Sequence, residues 1–274
     1  MKHLIKQYLD QGISRRKLMA GLSAVGMSSV TAKAIAQSLA PVAAPAKAAE
    51  GAVREMNGTG GELYIQQLKA AGVQYIFANP STGDAPIYDA LVNERSIQLI
   101  KGIQEGACVA MGDGYARMSG KTAVVQVAGV GLPNALTQMV NTYKDKIPML
   151  LTIASFGRNQ VGADTTQDYD FQNDMAIPIS KWQWTPMTGT SVPETTRRAL
   201  KFASTPPAGP VFLSIPDDVL RGAAKGNIMD QALFDIPMLI RPDKAQVEQA
   251  AKMLIEAKNP LLSVGDEITL CHGE

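Results

Sequence analysis

The sequence predicts an α/β fold, a parallel sheet with helices on both faces, followed by the start of a second α/β domain. Three observations carry this. Between residues 58 and 220, short and almost wholly apolar runs alternate with amphipathic stretches of helical period. The runs lack a polar face, as strands do when helices cover both sides of their sheet. The turn-forming or charged positions Asn79-Pro80, Glu105 and Gly129-Val130-Gly131 all fall where a predicted strand ends. Open parallel sheets bind ligands at that end.

The elements follow in order. Residues 62–71 read as a helix through Leu63, Ile65 and Leu68, stopped by Gly72. Residues 73–78 are a buried strand, followed by the turn Asn79-Pro80-Ser81-Thr82-Gly83-Asp84. A helix over 87–93, a strand over 97–103 and a helix over 104–120 come next. Residues 122–128 form a strand broken by Gly129-Val130-Gly131, residues 132–143 a helix and 148–154 an apolar strand. Residues 155–192 are looser and polar, a segment of the kind that forms a lid or an interface. A helix over 193–203 and a strand over 209–216 close the domain. Residues 221–242 read as a linker, 243–258 as a helix and 260–265 as a strand, the opening of a second domain too short to close a core alone.

Composition narrows the function. The chain has 274 residues, 46% hydrophobic and 19% charged, with a net charge of +1. Six of its 26 Lys/Arg but only one of its 25 Asp/Glu lie in residues 1–36, so the body is mildly acidic and suggests no nucleic-acid or anionic-membrane partner. Cys108 and Cys271 form neither a disulfide framework nor a metal spacing, and His3 and His272 sit at the ends. Histidine chemistry is therefore absent from the body. Ser14-Arg15-Arg16-Lys17 precedes a weakly apolar stretch over 18–30 and a small-residue cleavage site at Ala34-Ile35-Ala36. This reads as a twin-arginine export signal over residues 1–36, with a disordered basic leader as its alternative, and the expected location is periplasmic. The stretch falls short of the roughly 20 apolar residues that span a bilayer. Residues 37–57, rich in alanine with Pro41 and Pro45, read as a disordered spacer.

The helix over 104–120 organises the rest. Gly106, Ala110 and Gly114 recur four apart and leave one face nearly bare, while Cys108, Met111 and Tyr115 give an apolar face. Interior glycines cost roughly 1 kcal/mol each against alanine, so something must approach that face closely. Glu105 stands at the helix mouth, where a carboxylate also serves simply to complement the helix dipole.

Glu105 followed eight residues later by Asp113-Gly114-Tyr115-Ala116-Arg117 resembles the thiamine diphosphate enzymes of the acetolactate synthase, pyruvate oxidase and benzoylformate decarboxylase group. Gly129-Val130-Gly131-Leu132-Pro133-Asn134 is similar to that family's Gly-x-Gly-x-x-Asn turn. A dinucleotide fingerprint is the rival reading, but it lacks its third glycine and follows the wrong strand. Gly209-Pro210-Val211 leading to Pro216-Asp217-Asp218-Val219 is similar to the family's domain ending, so the resemblance covers 58–220.

The resemblance implies a pyrimidine-binding domain with flavodoxin-like layers. It implies that Glu105 hydrogen-bonds N1′ of the cofactor's aminopyrimidine and drives it toward the imino tautomer that takes the C2 proton. Pro80, Gly129, Gly131 and Asn134 would border the cofactor, with Ser81 and Thr82 near substrate; the rival for Thr82 is a plain turn residue. Gln104 stands where the family often has His, which puts a histidine-assisted substrate step in doubt. Gly112-Asp113-Gly114 with Asn141 mimics the family's Mg²⁺ motif, but mid-helix, so no metal ligand is assigned here. The resemblance implies Mg²⁺ and diphosphate ligands from a missing domain or another subunit. It implies a 2-oxo acid substrate, decarboxylation or carboligation, and a homodimer or tetramer with 106–114 near its interface. Flavin (FAD) occurs in the family, but nothing in this sequence indicates it. The alternative is a non-catalytic dimerising or regulatory module that keeps the fold.

Overall fold

A computed structural model of the chain describes residue 7 and residues 13–28, 53–167, 169, 171–234, 242–265 and 268. The expected cleavage site at 34–36 and most of the expected spacer lie outside the described residues. Residues 1–49 and 50–274 are separate compact units. In the first, α1 (Arg15–Ala24) starts at Ser14, whose hydroxyl accepts the Lys17 amide at 3.3 Å.

The second unit opens with β1 (Val53–Thr59) and turns into α2 (Gly60–Ala70) through a capping box. Thr59 Oγ1 accepts the Glu62 amide at 3.2 Å, and Glu62 Oε2 accepts the Thr59 amide at 2.7 Å. Next come β2 (Tyr75–Asn79), α3 (Ala85–Asn93), β3 (Gln98–Lys101), α4 (Glu105–Ser119) and β4 (Ala123–Ala128). A 3₁₀ turn (Gly129–Gly131) leads to α5 (Leu132–Lys144), β5 (Met149–Ser155), β6 (Trp182–Trp184) and α6 (Val192–Ser204). The series ends with β7 (Pro210–Pro216), α7 (Asp217–Arg221), β8 (Ala223–Met229) and α8 (Lys244–Glu256).

Six strands form one parallel sheet in the order β3-β2-β4-β5-β7-β6. Successive residues of its central strands face opposite layers. Val124, Leu150 and Val211 pack with Leu68, Ile87 and Leu200 of α2, α3 and α6. Val125, Leu151 and Phe212 pack with Val109, Leu136 and Met139 of α4 and α5. Every residue of β4 and β7 is buried, which is why these strands read as apolar runs interrupted only by Gln126 and Ser214. The fold is the parallel α/β sheet, helices on both faces, that the sequence predicts.

Four local expectations are corrected. Residues 53–57, expected in the spacer, belong to β1, and residues 223–229, expected in the linker, form β8. The two pair antiparallel from Val53↔Met229 to Thr59↔Ala223. Neither strand is apolar, and their pairing spans the whole domain, so local pattern does not reveal it. Residues 182–184, in the loose segment, form the edge strand β6 on β7. Residues 260–265 form no strand: among the described residues no neighbour pairs with them, and Leu261, Leu262 and Val264 are exposed.

The Asp-Gly-Tyr-Ala-Arg signature is a clamp between α4 and α5. Asp113 is buried; its carboxylate pairs with Arg117 and accepts the Thr142 hydroxyl at 2.7 Å. Arg117 also donates to Asp145 at the end of α5. Tyr115 meets the Tyr75 ring of β2 edge-to-face and the Phe77 ring at a tilt. Asn141 meanwhile donates to Gln138 at 3.3 Å, so Asp113 and Asn141 do not converge. The glycine that lets α4 approach the sheet is Gly112, where a Cβ would lie 2.8 Å from Val125 Cγ2. Ala110 and Gly114, on the bare face, are exposed, and nothing lies within 4 Å of a Cβ at Gly114.

Candidate functional site

Three strands of the sheet deliver the site at their carboxyl ends. β2 ends at Asn79, whose Nδ2 donates to the Gly102 carbonyl at 3.1 Å and ties the β2 turn to the end of β3. β3 then feeds α4. Gln104, in extended conformation, caps that helix: its Oε1 accepts the Ala107 amide at 2.9 Å. The residue standing where the family often has histidine thus stabilises the helix mouth and places Glu105 in the first turn.

β4 supplies the opposing wall. Its 3₁₀ turn passes directly into α5 with Pro133 in the first helical turn, a position where the missing N–H is harmless. Asn134, one residue further, donates from Nδ2 to Glu105 Oε2 at 3.1 Å. Beside this pair Gly131 leaves room for the acid itself. A Cβ there would sit 2.5 Å from Glu105 Cδ and 2.6 Å from Cγ. Glu105 therefore lies flat against the glycine turn, half-buried, with one oxygen fixed by Asn134.

The turn after β2 adjoins the same floor. Ala154, at the end of β5, lies under both turns: a Cβ at Gly83 would be 3.3 Å from its Cβ, and one at Gly129 would be 3.1 Å from its carbonyl oxygen. Pro80 and Thr82 are exposed and Ser81 is half-buried. Arg221 Nη2, from α7, donates to the Thr82 carbonyl at 3.2 Å. The structure thus joins Glu105, Gly131 and Asn134 in direct contact. Gly129 and Gly83, the latter just after residues 80–82, both pack on Ala154.

Two neighbours were missed by the sequence reading. Tyr169 donates its hydroxyl to the Gly129 carbonyl at 3.4 Å, and burial pushes its pKa up. The Gln172 side-chain amide is packed beside Gly129 and close to the Tyr169 hydroxyl. Both come from the loose 155–192 segment, whose polar run signalled a lid or interface without singling out either residue. Among the described residues, no cluster of three or more His, Cys, Asp or Glu is placed to hold a metal ion.

The fold and this arrangement define an open parallel α/β domain whose candidate site, Glu105 with the Gly129–Gly131 turn and Asn134, lies at the carboxyl edge of the sheet. Residues 58–176 match the family described as "Thiamine pyrophosphate enzyme, N-terminal TPP binding domain". The chain therefore carries the N-terminal domain of the thiamine pyrophosphate enzymes. It is 32% identical over 211 residues to the acetolactate synthase large subunit of Haemophilus influenzae, covering 76% of this chain and 37% of that protein. The acetolactate synthase large subunit of Lactococcus lactis subsp. lactis is 31% identical over 214 residues, 77% of this chain and 37% of that protein. Among solved structures, the Rhodococcus jostii RHA1 thiamine diphosphate-dependent 4-hydroxybenzoylformate decarboxylase aligns with a TM-score of 0.66 at 24% identity. That alignment covers 74% of this chain and 38% of that one, and shows the shared fold. The chain spans little more than a third of the length of these relatives.

Proposed function

We propose that this chain supplies the aminopyrimidine-binding half of a thiamine diphosphate site in an exported decarboxylase or carboligase acting on 2-oxo acids. One observation carries the reading: Glu105, at the mouth of α4, is pressed onto Gly131 and held by Asn134. A free first-turn acid that only balances a helix dipole has no need of a glycine cut to its shape.

The residues fit the ring. A planar heterocycle needs a flat backbone wall, given by the Gly129–Gly131 turn, and a carboxyl group that meets its N1′ edge. Glu105 offers Oε1 for that contact while Asn134 fixes Oε2 and with it the plane of the carboxyl. Its task is to hold the proton shared with N1′. When bound, thiamine diphosphate supplies a carbon acid and an electron sink for chemistry at a 2-oxo carbon. Ser81 and Thr82 border the substrate from the β2 turn. The ligands for the diphosphate and its Mg²⁺ come from another domain or subunit. The open Ala110–Gly114 part of α4, with the exposed Ile103 and Met118, meets a second subunit; Gly106 is already taken up by α5, where a Cβ would lie 3.1 Å from the Asn134 carbonyl oxygen. The twin-arginine leader directs the folded protein to the periplasm; no helix among the described residues is long and apolar enough to cross a membrane.

The test is Glu105→Gln in the complete, cofactor-loaded protein, read by deuterium exchange at C2 of bound thiamine diphosphate. Exchange should slow by roughly 10²- to 10⁴-fold, the usual worth of a positioned acid or base, with the fold intact. Undiminished exchange removes Glu105 from the assigned role.

A further inference from the structure

Directly beneath the substrate-side turn lies a carboxylate that the cofactor reading does not use. Asp84 is fully buried. It stands at the N-cap of α3, yet its side chain makes no capping hydrogen bond to that helix. Oδ2 instead accepts the Ser81 amide at 3.1 Å and the Tyr88 hydroxyl at 3.3 Å. Oδ1 accepts Gln126 Nε2, from the middle of β4, at 2.9 Å.

The contacts run in one direction. A carboxylate only accepts, so Gln126 must present its NH₂ to Asp84 and its oxygen to Thr152. Thr152 then directs its hydroxyl proton to Gln126 Oε1, with the Val125 carbonyl as a second acceptor at 3.1 Å, and is left to receive the Tyr64 hydroxyl at 3.2 Å. The donors from α2, β5 and β4 line up toward one acceptor. When Asp84 is ionised both of its oxygens only accept, and every link of the chain then meets a donor.

We propose that Asp84 is the positioning residue of the 80–82 turn: as a carboxylate it holds the Ser81 amide from below and, through Gln126, fastens that turn to the strand that carries Gly129 and Gly131. The two walls of the candidate site are thereby set against one rigid strand. The consequence for substrate rests on reading the 80–82 turn as substrate-side; the fastening does not.

The groups that face Asp84 are Tyr88 of its own helix, Tyr64 of α2, Gln126 of β4 and both the amide and the side-chain hydroxyl of Ser81. Cys108 of α4 acts on Tyr88. Arg221 of α7 reaches only the Thr82 carbonyl, and among the described residues no lysine or arginine pairs with Asp84. Burial, the largest influence, pushes its pKa up to about 6 against the pull of its donors. The hold is consequently sensitive to protons in the mildly acidic range.

The experiment is nuclear magnetic resonance on the labelled full chain, following the Asp84 carboxyl carbon and the Ser81 amide from pH 4.5 to 8. Both should move with one shared midpoint. In Asp84→Ala the Ser81 titration should vanish and its amide should exchange with solvent at least tenfold faster. In Asp84→Asn the titration should vanish while exchange stays slow, because the amide oxygen still accepts. A Ser81 amide that stays flat while Asp84 titrates overturns the proposal, as does unchanged exchange in a folded Asp84→Ala chain. Should that variant not fold, the wild-type titration alone decides. Glu105→Gln should leave these signals unchanged, so loss of the cofactor reading and loss of the fastening give different results.

Discussion

Replacing Gly131 with alanine separates the chemistry of the site from the stability of its fold. The backbone at 131 has φ −84° and ψ −4°, which any residue adopts, so only the added methyl is tested. That methyl would lie 2.5 Å from Glu105 Cδ, against about 3.5–4.0 Å for an ordinary carbon contact. Glu105 must therefore withdraw by roughly 1 Å. It is half-buried and swings outward at modest expense. The losses are the Asn134 hydrogen bond, about 1 kcal/mol, and at most roughly 1 kcal/mol of rotamer strain. Stability should thus fall by no more than about 2 kcal/mol. Function should suffer far more, because a displacement of about 1 Å at a reacting group is worth roughly 10²-fold. Urea unfolding of the chain measures the first quantity, and C2 exchange on the complete, cofactor-loaded protein the second. Full-rate exchange in a folded Gly131→Ala protein refutes the argument that this glycine exists to seat the acid.

Asp84 gives a pH-dependent prediction. Its pKa is raised from 3.8 to about 6 in the fold, so the native state binds the proton more tightly than the unfolded chain. The stability this confers is fully present below pH 3.8 and is lost as pH rises through about 6. Asp84→Asn should therefore gain on wild type by about 2 kcal/mol between pH 4.5 and 7.5, and a pH-independent difference in urea unfolding would contradict this. Gly112→Val should lower stability by about 1–3 kcal/mol, since a Cβ there already crowds Val125 and Met149. Gly114→Ala, with open space around it, should raise the stability of the isolated chain by up to about 1 kcal/mol while weakening self-association in the complete protein. Calorimetry and sedimentation check the pair. Thr142→Val leaves a lone pair of the buried Asp113 carboxylate without its donor and should cost about 1–3 kcal/mol in the same unfolding assay.

Much of the fold was legible because its determinants are local. β4 and β7 are buried on both faces and read as nearly continuous apolar runs. α4 announced itself through Cys108, Met111 and Tyr115, which do pack toward the sheet. Glu105 and Asn134 were singled out separately, each by a motif of the family the sequence resembles; their hydrogen bond and the room that Gly131 leaves for Glu105 required coordinates. β1 and β8 were not legible, since Arg54, Asn57, Lys225 and Asn227 offer no hydrophobic alternation and find each other only across the closed domain. The apolar run 260–265 misled for the converse reason: strand propensity without a neighbour makes no strand. Asp84 was hidden in plain view, because an acid before a helix reads as a cap. Only its actual partners, Ser81, Tyr88 and Gln126, show otherwise.

The Asp113–Arg117–Asp145 clamp acts at a distance from where α4 and α5 meet Glu105 and Asn134. Asp113 lies eight positions beyond Glu105, about 12 Å along the helix, so the two helices behave like the arms of tweezers riveted near the handle. The gap at the tips follows from the rivet. A substitution at Arg117 that touches neither coenzyme nor substrate should still alter how widely the jaws stand apart.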